Sequence, residues 1–541
     1  MKCLYKTTYP LAIMLSVGSV CASAHDFTPD VNPAGLPSAF TKTTLASSVA
    51  SASTTDTVTL TVSVTPSDAT GYITFMDGPT VLGAAPLSSG AASFTAVLTE
   101  GTHNLSAKYN GAPAYKDSMS QPVTLTVETS DYGSWTSGAC GRGTASYLLD
   151  SGTFTEQGAT YTTSTDSDSA VCVTGSDAAL VLEQPTITTS GESSSNEESS
   201  FFGLNAAVLN YDGGNLTIHG GSITSTGMGA NSVFAYGSGV ISVSDTTMKA
   251  TADGGHAVFA AGGGTIIANN VDALTTGASS SVVGTDRGSG TVIVHGGTYK
   301  ATGMRSAGIY STGTITASDA TFTTTNAEVV VLEGSNVVTL DNVTLNGISD
   351  LDEHRGVFLY QSMSGDADNS ECGVGSCFTM TGGVFNYTDT SNTSETATDN
   401  CAAFVVANQT GTMTLNDVEV NNSCPTLLLS ALNKHWDYKG GIANFTANGV
   451  KLAGDVIVDD VSTADITLAH SDLQPSELKG AINTDNTASS VSLTLDAESQ
   501  WLVTGTSYLT SLTDTDTTYS NIRCATEDCK VYVDGTEIEI Q

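Results

Sequence analysis

Val208-Leu209-Asn210-Tyr211-Asp212-Gly213-Gly214-Asn215-Leu216-Thr217-Ile218-His219-Gly220-Gly221-Ser222-Ile223 is answered one period later by Val233-Phe234-Ala235-Tyr236-Gly237-Ser238-Gly239-Val240-Ile241-Ser242-Val243-Ser244-Asp245-Thr246-Thr247-Met248. The period is roughly 25 residues, and a repeat of that length marks a stacked solenoid. It stays legible from Ala207 to about Leu345. One strand phase carries Val208, Val233, Val258, Val283, Ile309, Val330 and Val357. About fifteen residues further on, a second phase carries Ile223, Met248, Leu274, Tyr299, Phe322 and Leu345. The turn before the second phase repeats as His219-Gly220-Gly221-Ser222, Ser244-Asp245-Thr246-Thr247, His295-Gly296-Gly297-Thr298, Ser318-Asp319-Ala320-Thr321 and Asp341-Asn342-Val343-Thr344. No helical spacing accompanies these short β-branched runs, and the Leu-x-x-Leu-x-Leu pattern of leucine-rich repeats is missing. A coil this short cannot bury a core alone, but stacking at the ~4.8 Å inter-strand distance aligns like residues into a continuous interior. The expected fold is all-β, with a long right-handed parallel β-helix over residues 129–541.

Outward from the clean repeats the pattern loosens. Residues 129 to about 200 are rich in Ser, Thr and Gly, with strand runs at Ala145–Leu149 and Ala179–Leu182, and read as the capping start of the solenoid. Gly191 to Ser200 reads as a solvated loop. Beyond Leu345 the second phase continues through Val384-Phe385, Val418-Glu419-Val420 and Val450-Lys451-Leu452 at longer intervals. Insertions from about 361 to 441 account for the difference, at Gln361 to Cys377, Asn386 to Asn400 and Ala431 to Gly441. Excursions of this kind gather on one face of a solenoid, often the binding face. The tail from Cys529 to Ile540 reads as a closing hairpin. It shows no barrel strands, sorting motif or anchor helix, so release from the cell or retention through a partner is expected.

At the other end, Lys2 and Lys6 precede an apolar run from Leu11 to Val20 and then Ala22-Ser23-Ala24, the layout of a cleaved secretory signal over residues 1–24. That run is too short to span a bilayer. A Pro-containing linker over 25–40 follows. Residues 41–128 then change grammar to alternating runs such as Val58–Val64, Tyr72–Phe75, Ala92–Leu98, His103–Tyr109 and Val123–Val127, which predict an antiparallel β-sandwich. Thr41–Leu45, Val62–Pro66, Gly71–Gly78 with Leu82-Gly83, and Gly101–Gly111 closed by Tyr115 make this segment resemble the bacterial Ig-like repeat modules of surface proteins. Ala112 stands where the family usually has an aspartate after the glycine. The resemblance implies a spacer or adhesive module.

The mature chain keeps eight cysteines, and an even set on an exported protein suggests disulfides. The sequence-local pairing would be Cys140 with Cys172, Cys372 with Cys377, Cys401 with Cys424, and Cys524 with Cys529, although spacing alone leaves connectivity open. The formal net charge is −38. Such acidity disfavours nucleic acid and anionic membranes as partners, and no later segment is apolar enough for membrane insertion. It leaves calcium open as a ligand, although the EF-hand loop and the Gly-Gly-x-Gly-x-Asp nonapeptide are both missing.

A parallel β-helix raises polysaccharide lyases and glycoside hydrolases, whose chemistry needs paired carboxylates or a base beside them. Asp459-Asp460 with Asn483-Thr484-Asp485, Asp286-Arg287, and Asp352-Glu353-His354-Arg355 are the groupings to consider. Each reads more simply as a turn or a salt-bridged corner. A different chemistry is offered by the insertion carrying His435, Trp436, Tyr438 and Lys439, where aromatic faces could stack on sugar rings.

The solenoid resembles the adhesin-like β-helices of bacteria, of the autotransporter-passenger and pectate-lyase-like kind. The resulting expectation is a secreted or cell-surface, non-enzymatic protein that binds glycans or extracellular matrix through the β-helix loops. A polysaccharide-cleaving enzyme on the same scaffold and a purely structural surface-layer component are the alternatives.

Overall fold

The computed structural model describes residues 39–53, 57–99, 101–112, 114–128, 136–349, 355–362, 367, 372, 375–389, 401–432, 439–525 and 529–541. The signal segment, most of the linker and parts of the insertions lie outside them.

The repeat becomes a coil of three strands. The first strands, as far as Asp455–Val458, form a 13-stranded sheet, and the second strands with the third strands as far as Glu419–Asn422 form a 22-stranded sheet that turns a corner within each coil; the third strands of the last coils, Lys451–Ala453, Glu477–Lys479, Gln500–Val503 and Ile522–Cys524, make a separate four-stranded sheet. Neighbouring coils pair in parallel, so equivalent residues stack. The seven first-phase residues from Val208 to Val357 are in register, and the column extends to Phe404 and Leu428. A further column, from Leu180 through Leu216, Ile241, Ile266, Val292, Ile315 and Val338 to Phe378, runs down the second strands. These side chains are almost fully enclosed. Each contributes about 1.5–3 kcal/mol by leaving water. Aromatic residues continue the stacking inside the coil, as where Tyr299 and Phe322 lie with ring centroids 4.9 Å apart.

The turn before the third strand has a single geometric demand. Gly220, Asp245, Asn270, Gly296, Asp319, Asn342, Gly382, Asp417 and Gly449 all have φ between 51 and 66°. Only Gly, Asn and Asp adopt that left-handed region readily, hence the alternation of those three residues down the repeat. Their side chains also bridge coils: Asn270 Nδ2 donates to Asp245 Oδ1, and Asn342 Nδ2 to Asp319 Oδ1, each at 2.7 Å.

Four sequence expectations need correction. In the second phase the inward residue is Ala273, which pairs with Met248 and Tyr299, whereas Leu274 lies between Lys249 and Lys300 on the outer side. A one-residue step reverses the face of a strand, and the larger side chain of Leu274 obscured it. Three-strand coils begin near Gly143, well before Ala207, because the strands Gly143–Leu149, Gly152–Gln157 and Thr160–Thr163 already pair with the next coil. An antiparallel strand, Thr136–Cys140, covers the exposed edge of the first. Within the supposed solvated loop at 191–200, a short helix forms over Asn196–Phe202. Ser195 caps its start by accepting from the Glu198 amide, Gly203 ends it in the left-handed region, and Ser199 is fully buried. The helix sets Phe201 under the Arg287 guanidinium and Phe202 under that of Arg142, at 4.0 and 4.2 Å.

The fourth correction concerns the Ig-like module. Its two sheets have three and six strands, antiparallel except where Ser51–Ser53 pairs in parallel with Val123–Glu128, and enclose Val58, Leu60, Val62, Ile73, Phe75, Leu105, Tyr109 and Leu125. The sandwich is no free spacer, because it lies against the β-helix. Ile267 and Ile293 point outward from adjacent coils yet are 3% and 6% exposed, because they join the module's core. Val97 packs likewise on Ala179 and Val181. A Cβ on Gly83 would stand 3.3 Å from Ile267 Cδ1 and 2.4 Å from Phe94 Cε2, so the contact requires glycine there.

The far end closes with the antiparallel pair Val531–Val533 and Thr536–Ile538. Near it, Trp501 is fully buried and its indole donates to Gly480 O at 2.9 Å.

Candidate functional site

Of the insertion residues expected to bind sugar, His435, Trp436 and Tyr438 lie outside the described residues. Lys439 lines an open depression of about 480 Å³ with Gln361, Gln409 and Val461. The cysteines pair as Cys140–Cys172, Cys372–Cys377, Cys401–Cys424 and Cys524–Cys529, with Cα separations of 6.5, 5.7, 5.2 and 5.8 Å.

The groupings considered for catalysis serve local structure. Asp459 accepts from the Leu432 and Val461 amides at 2.7 and 3.2 Å, and Asn483 Oδ1 accepts from the Thr487 and Ala488 amides at 3.2 and 3.3 Å. The Arg287 amide donates to Asp286 Oδ1 at 2.8 Å. Asp352, Glu353 and His354 are outside the described residues, and Arg355 pairs with Glu328 at 2.8 Å while stacking on Phe358. Among the described residues no three His, Cys, Asp or Glu side chains converge as a metal site. No helix among them is long and apolar enough to cross a membrane.

A different feature emerges where the module ends. The outward column that carries Ile267 and Ile293 under the module continues as Thr316, Thr339, Thr379, Thr414, Thr446, Thr467, Thr494 and Thr513. Eight threonines thus stand in register on consecutive coils. At ~4.8 Å per coil they span roughly 34 Å. All keep solvent access, and Thr494 and Thr513 are exposed. Threonine suits such a position because its branched Cβ packs well on a pleated surface while its hydroxyl remains available. An adjacent row stiffens the face: Asn448 Nδ2 donates to Asn416 Oδ1 at 2.7 Å, and Asn416 Nδ2 to Thr381 Oγ1 at 3.1 Å. The threonine column itself carries no charge. Its signal was present in the sequence as a Thr directly after an inward apolar residue in each coil, as in Ile315-Thr316, Val338-Thr339, Phe378-Thr379 and Met413-Thr414, but the variable coil lengths beyond Leu345 concealed the register.

At the head of this column, a cleft of about 690 Å³ separates the module from the β-helix. Tyr72, Tyr115 and Lys116 line it from the module; His295, Ser318 and Asp341 line it from the coils. Two glycines shape the module's wall, since Gly71 has φ +111° and a Cβ there would stand 2.9 Å from Gly111 O. His295 Nδ1 shares a 2.7 Å hydrogen bond with Ser318 Oγ, whereas Nε2 is enclosed and has no partner. Burial pushes the His295 pKa below its ordinary value, against the opposing pull of Asp319. Burial and the neighbouring Asp319 push the Asp341 carboxyl up.

Residues 44–128 match the family model of the bacterial Ig-like domain (group 3). No curated protein and no solved structure matches the chain.

Proposed function

We propose that this chain is a secreted or surface-held adhesion protein, non-enzymatic, which binds neutral glycan chains along the threonine face of its β-helix. The in-register column of eight threonines carries the reading. Each rung offers a hydroxyl to a sugar hydroxyl and a methyl to the apolar side of a sugar ring. A single rung holds weakly, but a polymer lying along the column engages many at once, and linked contacts multiply into avidity. The uncharged column on a chain of net charge −38 favours a partner without negative charge. The Ig-like module fits a protein of the cell exterior, as do the disulfides. Against the enzymatic alternative, the carboxylates at 459 and 286 are engaged by neighbouring backbone amides.

The test is binding of the purified full chain to a glycan array and to insoluble polysaccharides. Thr414→Glu and Thr446→Glu, which put a charged, bulkier group in the path of a neutral chain, should lower retention by tenfold or more without moving the thermal midpoint. Equal retention by both folded variants would refute the reading. Reducing ends or unsaturated products released from a polysaccharide panel, with or without calcium, would establish the enzyme instead.

A further inference from the structure

We infer that the cleft between the Ig-like module and the β-helix is a second binding site, which receives one or a few sugar units at the end of a neutral glycan. The inference rests on the glycan-binding reading and adds to it a place where the chain end is recognised. The cleft's volume of about 690 Å³ lies within the ~300–1,000 Å³ span typical of small-ligand sites. Its walls supply what an uncharged sugar needs. Tyr72 and Tyr115 offer aromatic faces on one side, and Ser318 and His295 offer hydrogen-bonding groups on the other.

His295 is the most telling of these groups. Its ring is oriented by Ser318 through Nδ1, which leaves Nε2 as an enclosed polar atom with no partner. Leaving such a group unmet costs about 1–3 kcal/mol, and a small turn of the His295 side chain that opens Nε2 to the cleft would let a ligand hydroxyl meet it. Burial also favours the neutral imidazole, which hydrogen-bonds a hydroxyl in preference to pairing with an anion. The Asp341 carboxylate has no hydrogen bond among the described residues and can accept from a second hydroxyl. Asp341 and Asp117 outnumber Lys116 among the charged residues lining the cleft, which disfavours phosphate or uronic acid as ligand.

The cleft opens directly onto the first rungs, since Thr316 and Thr339 line it as well. A chain end seated against His295 would therefore leave its following units over the threonine column. Recognition of the end by the cleft and of the length by the face would then be separable.

That separation supplies the experiment. Soluble neutral oligosaccharides of the cello-, xylo-, manno- and chito- series are titrated against the full chain by calorimetry and saturation-transfer NMR. Retention on the insoluble polymers is measured in parallel. His295→Ala and Tyr115→Ala should each weaken the best oligosaccharide tenfold or more, while Thr446→Glu, several coils away from the cleft, leaves it unchanged and lowers polymer retention. His295→Gln, which keeps a hydrogen-bonding group, should recover part of the affinity. Oligosaccharide affinity that is unchanged in both folded cleft variants would overturn the cleft assignment, as would polymer retention by the wild type with no oligosaccharide binding; the threonine-face reading would survive either result. Failure of the wild type to bind any oligosaccharide or polymer would overturn both.

Discussion

Replacing Ile267 and Ile293 together by aspartate should release the Ig-like module from the β-helix while leaving the coils folded. Both side chains point away from the solenoid interior, in register on neighbouring coils, and are enclosed by the module alone. Burying an isoleucine contributes about 1.5–3 kcal/mol, so the pair supplies roughly 3–6 kcal/mol to docking. The smaller patch of Val97 on Ala179 and Val181 adds less. The module is tethered, so its effective concentration is on the order of millimolar whether docked or free, and the change in docking constant comes almost wholly from the lost contacts. A loss of ~3–6 kcal/mol lowers that constant by about 10² to 10⁴. Buried carboxylates would oppose docking further. Small-angle X-ray scattering should show a larger radius of gyration and maximum dimension for the double variant. Thr414→Asp, in the same column but beyond the module, should scatter as the wild type does. Identical scattering from the double variant and the wild type, with both folded, would refute the account of how the module is held.

Four further outcomes follow from the coils and their crosslinks. Ala273→Leu should destabilise by about 1–3 kcal/mol through overpacking against Met248 and Tyr299, and Leu274→Thr by no more than ~0.5 kcal/mol, as read from denaturant midpoints; the reverse order would restore the original register. Trp501→Ala should cost about 3–5 kcal/mol in the same assay, and Trp501→Phe less but measurably, since Gly480 O loses its donor. His256 is buried, stacked on Phe259 at 3.9 Å, and burial lowers its pKa to about 4 despite its bond to Ser281 O. The unfolded chain therefore takes up the proton first, and up to about 3 kcal/mol of stability present above pH ~6.5 is lost as pH falls towards 4; acid unfolding curves of His256→Phe should lack that component. Among the disulfides, Cys140–Cys172 and Cys401–Cys424 close loops with sequence separations of 32 and 23, against 5 for the other two. Replacing either long-loop pair by alanine should therefore lower the thermal midpoint more than replacing Cys372 with Cys377.

The first strand column was legible from Val208 to Val357 because those residues are β-branched at similar intervals, whereas its extension to Val171 on one side and to Phe404 and Leu428 on the other was not, since the coil lengths change there. The second column slipped at one coil, where Ala273 is small and Leu274 is large, so hydrophobicity pointed to the wrong face. The second strand of the coil was visible only as isolated runs such as Val292–Val294. Its alternation of apolar and Thr residues resembles any half-buried strand until the coils are aligned. The helix at Asn196–Phe202 eluded periodicity because seven residues hold fewer than two turns. Docking of the module could not be read from its own pattern, which is that of a complete sandwich. The clue lay elsewhere, in the outward Val181, Ile267 and Ile293, which break an otherwise polar column. The cleft is still further from the sequence, because its two walls are separated by almost two hundred residues.

The uniform pairing of coil on coil has a consequence for how such a protein changes through time. Each coil touches chiefly the one above and the one below, so gain or loss of a whole coil between Thr339 and Thr494 would preserve both the interior columns and the spacing of the outer one. The reach of the molecule along a polymer would then vary in steps of one hydroxyl, with no new contact to invent. The cleft lies at a fixed end and would be untouched by such changes. Grip could be tuned by gene-level insertion or deletion while the feature that recognises the chain end stayed constant.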